Sequence, residues 1–540
     1  MRPPLSGAGR PFTYLRCLVQ TSRQRPTVST RCRLRKPQTT PLASYHSTRA
    51  LPQDPPITPE HQQPAPVRLP ATAPKAALDL KHIRQNPDLY AQNCRERNYH
   101  AAASYPARIN DLFTQWQAKQ REARGLRERG NLLRGQLANP GRTSGDDADE
   151  EEAAVFRSMS REQLLEEARK IKADLGAIEE AESSLAAEMQ RLALAIPNLT
   201  SDVTPRGDEP LVLSYINDHP EPGPALSDRV WRSHVHIGAE LGILDFAGAA
   251  STSGWGWYVL LDEAAQLEQA LVSYALAAAT RAGWRQVSPP SMVYSHIAGA
   301  CGFQPRDAHG ETQIYTISQA ADDAARGKPE LCLAGTAEIP LAGMKADTIL
   351  DEPDLPLKRV AASRCYRAEA GARGGETKGL YRVHEFTKVE LFAWTPPDHD
   401  ATSDIFDEMI DLQTELLGSL GLHCRVLEMP TADLGASAVR KCDIEAFFPS
   451  RRDRNDGWGE VTSASICTDY QTRRLATRVK LASGKLVYPW TVNGTALAVP
   501  RVLAAILENG WDESEMAVTI PEVLRPWMDG REKIGPKRRC

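Results

Sequence analysis

Two arginines, two glutamates and a phenylalanine are crowded into one stretch of this chain. Arg367-Ala368-Glu369 is followed, after a Gly-rich loop over residues 370–379, by Arg382, Phe386 and Glu390. Guanidinium groups bind phosphate or carboxylate bidentately, an aromatic ring offers a stacking face, and carboxylates accept from amines. Three further clusters carry the same kinds of group. Thr336-Ala337-Glu338 lies upstream, Glu460-Val461-Thr462-Ser463 downstream, and Asn493, Thr495 and Arg501 close the series. Together they supply several cations, hard oxygen donors and a few small polar residues. Such a set suits a polyphosphate beside a small zwitterion. No lysine-bearing P-loop or G-x-G-x-x-G pattern occurs, so a nucleotide must be held another way.

These groups need a framework. The period-2 segments Val360–Tyr366, Val389–Phe392, Cys442–Phe447, Gly459–Thr462 and Leu486–Trp490 read as strands, and Leu380–Glu390 reads as a return strand. In a regular strand Arg382, His384, Phe386, Lys388 and Glu390 share one face. Asp262–Arg281 and Ala401–Leu420 read as helices, with another following Thr495. Strand pairs with dispersed helices, and no βαβ series, predict an antiparallel α+β domain over residues 230–530. A connector covers 201–229 and a short tail covers 531–540.

Residues 77–200 differ. Ile109, Leu112, Trp116, Ala123, Leu126, Leu133 and Leu137 follow a heptad rhythm, which Lys119 and Gly130 interrupt. Leu164, Ala168, Ile171, Leu175, Ile178, Leu185, Met189 and Leu192 repeat it, interrupted by Glu182. Each stripe must be hidden against another helix. Asn139-Pro140-Gly141 and the acidic run Asp146–Glu152 separate the two. The pattern predicts a long antiparallel hairpin with an acidic tip, each helix about 45–50 Å long. Arg121, Arg124, Arg127, Arg129 and Arg134 are expected on the outer face of the first helix. They suit phosphate contact along the shaft, or a solvated helix with internal Glu–Arg pairs.

The bulk composition permits this plan. A chain of 540 residues with 41% hydrophobic and 25% charged residues has room for several cores. A formal charge of -4 excludes a uniformly basic binder but not a local basic surface. Ten cysteines include no C-x-x-C pair, so neither a disulfide framework nor a structural zinc site is indicated. No apolar run reaches membrane-spanning length. Residues 1–50 are rich in Arg and Ser, and no Asp or Glu precedes Asp54. That composition matches a mitochondrial transit peptide, the alternative being a basic tail that touches nucleic acid. Residues 51–76, rich in Pro and Gln, read as a linker.

In their order along the chain these motifs resemble the class II aminoacyl-tRNA synthetases, and within them the seryl-tRNA synthetases in an organellar, fungal-type form. Gly283–Pro290 is similar to motif 1, whose strand in this family contributes to a homodimer interface. Arg364–Glu369 with Leu380–Glu390 is similar to motif 2, and Val492–Arg501 to motif 3. The resemblance implies that Arg367 meets the α-phosphate and activated carboxyl, Glu369 the adenine amino region, and Arg382 and Arg501 the terminal phosphates. Phe386 would stack on adenine; the residue types alone equally allow a core Phe386 and a surface ion pair for Arg382. Thr336, Glu338, Glu390, Asn493 and Thr495, with Arg367, would hold serine, although a capping Thr336 and a solvated Glu338 fit the spacing too. Glu460 and Ser463 would hold Mg²⁺, with Mn²⁺ the alternative.

The implied reaction activates L-serine with ATP to seryl-adenylate and transfers it to tRNA(Ser), in the mitochondrial matrix, with the helical arm gripping the tRNA. Competing readings are a threonine- or proline-specific relative and a catalytically silent paralogue that binds tRNA or a partner. Departures from the family pattern are the acidic arm tip, Ser-Gly-Trp-Gly-Trp-Tyr at 253–258, and Thr462 where serine is common. None removes a group with an expected role.

Overall fold

A computed structural model describes residues 73–139, 154–217, 232–303, 313–369 and 379–536. The expected leader at 1–50, nearly all of the linker, the acidic tip at 146–152 and most of the motif 2 loop lie outside the described residues. All described residues belong to one compact unit. Among them no helix is long and apolar enough to cross a membrane.

The chain enters through α1 (Leu80–Gln85) and α2 (Pro87–Glu96), then rises along α3 (Tyr105–Ala138) and returns along α4 (Arg161–Leu194). Asn139 ends α3 just before Pro140. Ser160 and Gln163 form a reciprocal capping box that starts α4. The heptad stripes meet as expected. Ile109, Leu112, Ala123, Leu133, Leu164, Ile171, Ile178, Met189 and Leu192 are all buried between α3 and α4. The base of the arm has its own core, in which Ile83, Cys94 and Ile196 join Ile109 and Met189.

Two of the five arm arginines depart from the outer-face expectation. Arg127 and Arg129 flank the seam and reach across it to Glu179 and Glu167 of α4, each at 2.9 Å. Arg124 pairs with Glu128 at 2.9 Å within α3. Arg134 donates to Asn131 at 2.7 Å and Arg121 to the Gln117 carbonyl at 3.3 Å. Internal Glu–Arg pairing is therefore real here, while Arg121, Arg124, Arg127 and Arg134 stay exposed.

An eight-stranded sheet organises the body. In chain order its strands are β1 (Leu211–Ile216), β2 (Arg285–Gln286), β3 (Leu357–Tyr366), β4 (Glu385–Thr395), β5 (Cys424–Glu428), β6 (Arg440–Phe447), β7 (Trp458–Thr468) and β8 (Trp490–Ala498). Their spatial order is β1-β5-β6-β7-β8-β4-β3-β2, antiparallel except for the β2–β3 pair. One face is covered by α5 (Asp262–Arg281), α6 (His399–Ser419) and α7 (Val499–Asn509), whose apolar sides merge with the sheet in the largest core. Gly494 of β8 lets α6 approach closely. A Cβ there would stand 3.0 Å from the Ser463 carbonyl and 3.2 Å from Gln413 Nε2 and Met409 Sδ.

Three expected elements shift. The return strand begins at Glu385 and not at Leu380, because the backbone before it is spoken for. Leu380 N–H donates to His234 Nε2, Arg501 donates to the Tyr381 carbonyl, and His384 N–H donates to the Gly256 carbonyl. Leu486–Trp490 divides at Pro489: Leu486–Val487 joins a small separate sheet, and Trp490 opens β8. The last helix starts at Val499, since Thr495–Ala498 still pairs with β4.

Gly130 interrupts the α3 seam without necessity, because a Cβ there would meet Ile171 Cγ2 at an ordinary 3.5 Å. Gly130→Ala should stabilise the arm by about 1 kcal/mol. Backbone amides of α3 around that position should then exchange with deuterium about fivefold more slowly. Unchanged or faster exchange would contradict this packing.

Candidate active site

The open face of the sheet carries the expected residues, and two β-bulges put them there. In β7, Val461 is the extra residue: Glu445 pairs with Glu460, while Ile444 pairs with Thr462 and Asp443 with Ser463. Asp443 and Glu445 lie two apart on a regular strand, so Glu460 and Ser463 share a face although they are three apart. In β8, Ala496 is extra in the same way. Asn493, Thr495 and Ala498 stand opposite Phe392, Glu390 and Lys388 of β4. Both bulges turn a three-residue spacing into a common face.

That face and the loops at its edge line a cleft of about 550 Å³, counting its open mouth. Arg367, Glu369, Arg382, Phe386, Glu460, Ser463, Thr495 and Arg501 all border it, with Lys388, Tyr381 and Thr462. Its cations are held in order by carboxylates. Arg382 Nε pairs with Glu369, whose backbone sits at φ +49°. Arg501, in the first turn of α7, donates to Glu460 Oε2 at 3.1 Å and to the Glu460 carbonyl at 2.9 Å. Lys388 contacts Glu390 at ion-pair range. The contact is electrostatic, since Glu390 Oε2 lacks a partner in hydrogen-bond geometry. Among the described residues Arg367 makes no ion pair; its guanidinium lies over the Phe386 ring, 5.3 Å from the centroid.

The electrostatics of Glu460 follow from this crowd. Burial pushes its carboxyl up, but Arg501, Lys441 and Arg367 outweigh burial and hold it well below the usual carboxylate range. It is therefore ionised at neutral pH. Asp443, below it, moves the opposite way: burial dominates, and the charge of Glu460 adds to it, against the Lys441 ammonium 2.6 Å away.

Beside the cleft lies a buried polar cluster. Glu338 is buried, begins the short helix Glu338–Gly343, and receives hydrogen bonds from Gln471 Nε2 and, at 3.3 Å, Asn493 Nδ2. Thr336 Oγ1 accepts the Glu338 N–H at 3.2 Å, so Thr336 does cap this turn, whereas Glu338 is not solvated. Burial first, and then the nearby charge of Glu390, raise the Glu338 carboxyl to about 8, although Lys388 and Gln471 pull it down. Thr336, Glu338, Glu390 and Asn493 do not border the main cleft. Thr495 links the two spaces, lining the cleft from the register position opposite Glu390.

Several contributors were not singled out from sequence. Lys388 was legible by alternation with Phe386 and Glu390. Gln471 lies in Asp469–Arg474, which continues the family resemblance, but no role was read for it; Lys441 and Asp443 gave no local signal, since only the fold brings them to Glu460. Nothing in the residue pattern pointed to Tyr381, His234 or Glu508.

A metal would find hard donors in the Glu460 carboxylate and the Ser463 hydroxyl. Among the described residues no group of three or more His, Cys, Asp or Glu could hold one alone. A two-donor site fits a cation that takes its remaining ligands from phosphate and water, as Mg²⁺ does.

Comparison with known proteins agrees with this geometry. Residues 315–510 match the tRNA synthetase class II core domain (G, H, P, S and T), and residues 77–200 match the seryl-tRNA synthetase N-terminal domain. The chain is 42% identical over 355 residues to the mitochondrial serine–tRNA ligase of Saccharomyces cerevisiae, covering 65% of this chain and 75% of that one. It is 38% identical over 468 residues to the serine–tRNA ligase of Rubrobacter xylanophilus, covering 86% and 100%. The crystal structure of seryl-tRNA synthetase from Pyrococcus horikoshii complexed with ATP superposes with a TM-score of 0.72 at 31% identity, covering 86% of this chain and all of that one. With a core and an arm that both match, the chain belongs to the seryl-tRNA synthetase family of class II enzymes.

Proposed function

We propose that this chain is a serine–tRNA ligase of mitochondria, acting in the matrix. One observation carries the reading: a cation-lined cleft adjoins a polar cluster with two buried carboxylates, Glu338 and Glu390. The mitochondrial assignment is supported by the Saccharomyces cerevisiae relative and by the Arg-rich, acid-free composition of residues 1–50.

In the first step the carboxylate of serine attacks the α-phosphorus of ATP, and pyrophosphate leaves. Arg367, without an ion pair among the described residues, takes the α-phosphate and the incoming carboxylate. Arg501 and Arg382, braced by Glu460 and Glu369, take the terminal phosphates. Phe386 stacks on adenine and Glu369 accepts from its amino group. Glu338 and Glu390 receive the serine ammonium, with Thr336 beside them, while Asn493 and Thr495 face its hydroxyl. Such preorganised charges lower the barrier by meeting the charge that develops at phosphorus. Glu460 and Ser463 would hold Mg²⁺, or Mn²⁺, and a hard cation supplies further neutralisation of the phosphates. In the second step the terminal ribose hydroxyl of tRNA(Ser) takes the seryl group.

The arm, residues 77–200, carries the tRNA along its shaft through Arg121, Arg124, Arg127, Arg129 and Arg134, with the pairs to Glu128, Glu179 and Glu167 holding three of these side chains extended. The catalytic body spans 230–530. The outer edge of β2, unpaired among the described residues, is where a second copy would add to form a homodimer.

ATP–pyrophosphate exchange across the twenty amino acids tests the activity. Serine alone should support strong exchange, and Arg367→Ala should reduce it by about 100- to 1,000-fold. Absence of serine-dependent exchange in folded protein would leave the silent-paralogue reading. The charge state of Glu338 gives a second test. Below its raised value of about 8 the carboxyl is mostly protonated and cannot pair with an ammonium. The KM for serine should therefore fall about fivefold between roughly pH 7 and pH 8, and Glu338→Gln should abolish that slope. A flat wild-type profile would remove Glu338 from ammonium binding. For the arm, residues 120–177 can be excised while the base core around Ile109 and Met189 is kept. Exchange should stay within about twofold while tRNA charging drops by about 100-fold; equal loss of both would refute the division of labour.

A further inference from the structure

Behind the cleft lies a buried polar network that the reaction does not use directly. Glu508, in the last turn of α7, is buried, and its Oε1 accepts four hydrogen bonds. The donors are His234 N–H at 3.1 Å, His234 Nδ1 at 2.8 Å, the Tyr381 hydroxyl at 2.7 Å and the Ser450 hydroxyl at 3.0 Å. Its Oε2 accepts Ser450 N–H at 3.2 Å. Burial alone would raise this carboxyl, but the hydrogen bonds from His234 and the Tyr381 hydroxyl hold it below its ordinary value. An ionised carboxylate only accepts, so His234 Nδ1 must carry the proton. The lone pair of its Nε2 is then free to accept, and it takes Leu380 N–H at 2.9 Å. The partners thus fix one neutral tautomer.

Leu380 and Tyr381 follow directly on the motif 2 loop and precede Arg382. Arg501 stands seven residues before Glu508, on the same side of α7. It donates through Nε to the Tyr381 carbonyl at 2.9 Å. One helix therefore grips Leu380–Tyr381 at two points. Arg501 takes the carbonyl, and Glu508 takes the hydroxyl and, through His234, the preceding amide. The His234 and Tyr381 rings meet edge to face at 4.7 Å. Gly379 shows how tight the seat is: at φ +69°, a Cβ there would lie 2.1 Å from His234 Nε2.

We infer that His234 and Glu508 form a positioning dyad that locks the exit of the motif 2 loop and thereby aims Arg382 and Arg501 at the phosphates. The inference rests on the assignment of those two arginines to ATP. His234 does not border the cleft, and among the described residues no hydrogen bond joins the network to the cluster around Glu338. Losing the dyad must therefore weaken ATP use and spare serine use.

The two ring nitrogens can be tested separately in the full-length enzyme by pyrophosphate exchange. An asparagine amide can replace Nδ1, and a glutamine amide oxygen can replace Nε2. His234→Asn keeps the bond to Glu508 and loses Leu380; its KM for ATP should rise about tenfold, with the KM for serine within about twofold. His234→Gln keeps an acceptor for Leu380 N–H and should recover most of the ATP affinity. Tyr381→Phe keeps the ring and loses the hydroxyl, and should raise the KM for ATP about threefold. That variant decides the matter should the histidine variants fail to fold. Arg501→Ala is the comparator. No ATP effect in Arg501→Ala would overturn the nucleotide assignment itself. An ATP effect there, with unchanged ATP use in Tyr381→Phe, or with equal rises in both KM values for His234→Asn, would overturn the dyad alone.

Discussion

The site depends on keeping several cations together in one cleft without letting them repel each other out of place. Arg367, Arg382, Lys388 and Arg501 converge on a single opening. Like charges this close would swing into solvent unless each were tied. Glu369, Glu390 and Glu460 each pair with one of them, and Glu369 and Glu460 themselves border the cleft. Among the described residues Arg367 makes no ion pair; a ring lies beneath it, and its charge is felt by Glu460. The least compensated charge thus falls at the residue proposed to meet the reacting phosphate. The carboxylates that seem to oppose anion binding are what make it specific in space.

Meeting that constraint takes backbone irregularity. A regular strand would turn Glu460 away from Ser463, and Thr495 away from Ala498. The bulges at Val461 and Ala496 restore a common face on adjacent strands, next to the site, where bulges re-aim side chains. This marks where the sequence was readable and where it was not. The arm could be read because its heptads are long and periodic. The antiparallel body could be read from short strands and the order of the motifs. Neither bulge leaves a local residue signal, since Val and Ala are ordinary in strands. Leu380–His384 was misread as strand because apolar alternation says nothing about which partners claim the backbone. The network of His234 and Glu508 was invisible for a similar reason, its members lying 274 positions apart.

The arm and the body meet through buried polar groups, not an apolar seam. Arg97 is buried, and burial lowers its guanidinium to about 10, offset in part by neighbouring tyrosines. It donates to the carbonyls of Asn198, Gly435 and, at 2.8 Å, Ala438. Asn198 donates to the carbonyls of Ser437 at 3.0 Å and Cys467 at 2.9 Å. Removing one partner would strand the other in a dry junction, so this contact fixes an angle between arm and body more than it adds net stability. Cys467 lies on β7, the strand that also bears Glu460 and Ser463. A long lever set on such a joint transmits position: whatever the shaft holds is kept at a defined distance from the cleft.

The buried cluster beside the cleft works by an opposite principle. Glu338 and Glu390 are both buried and close enough for one to raise the other, with Lys388 as the nearby cation. Lys388 serves the cleft as well, and its contact with Glu390 lacks hydrogen-bond geometry. Below about pH 8 the Glu338 carboxyl holds a proton, which relieves that repulsion, and Lys388 faces Glu390. A ligand bearing an ammonium favours the ionised form of Glu338, so its binding should release that proton. A neutral molecule of the same size gives Glu338 no partner for its charge. On the proposed reading, selection for an amino acid over an isosteric acid or alcohol thus follows from a charge that the ligand itself brings. Asn493, which donates to Glu338, ties that carboxyl to β8.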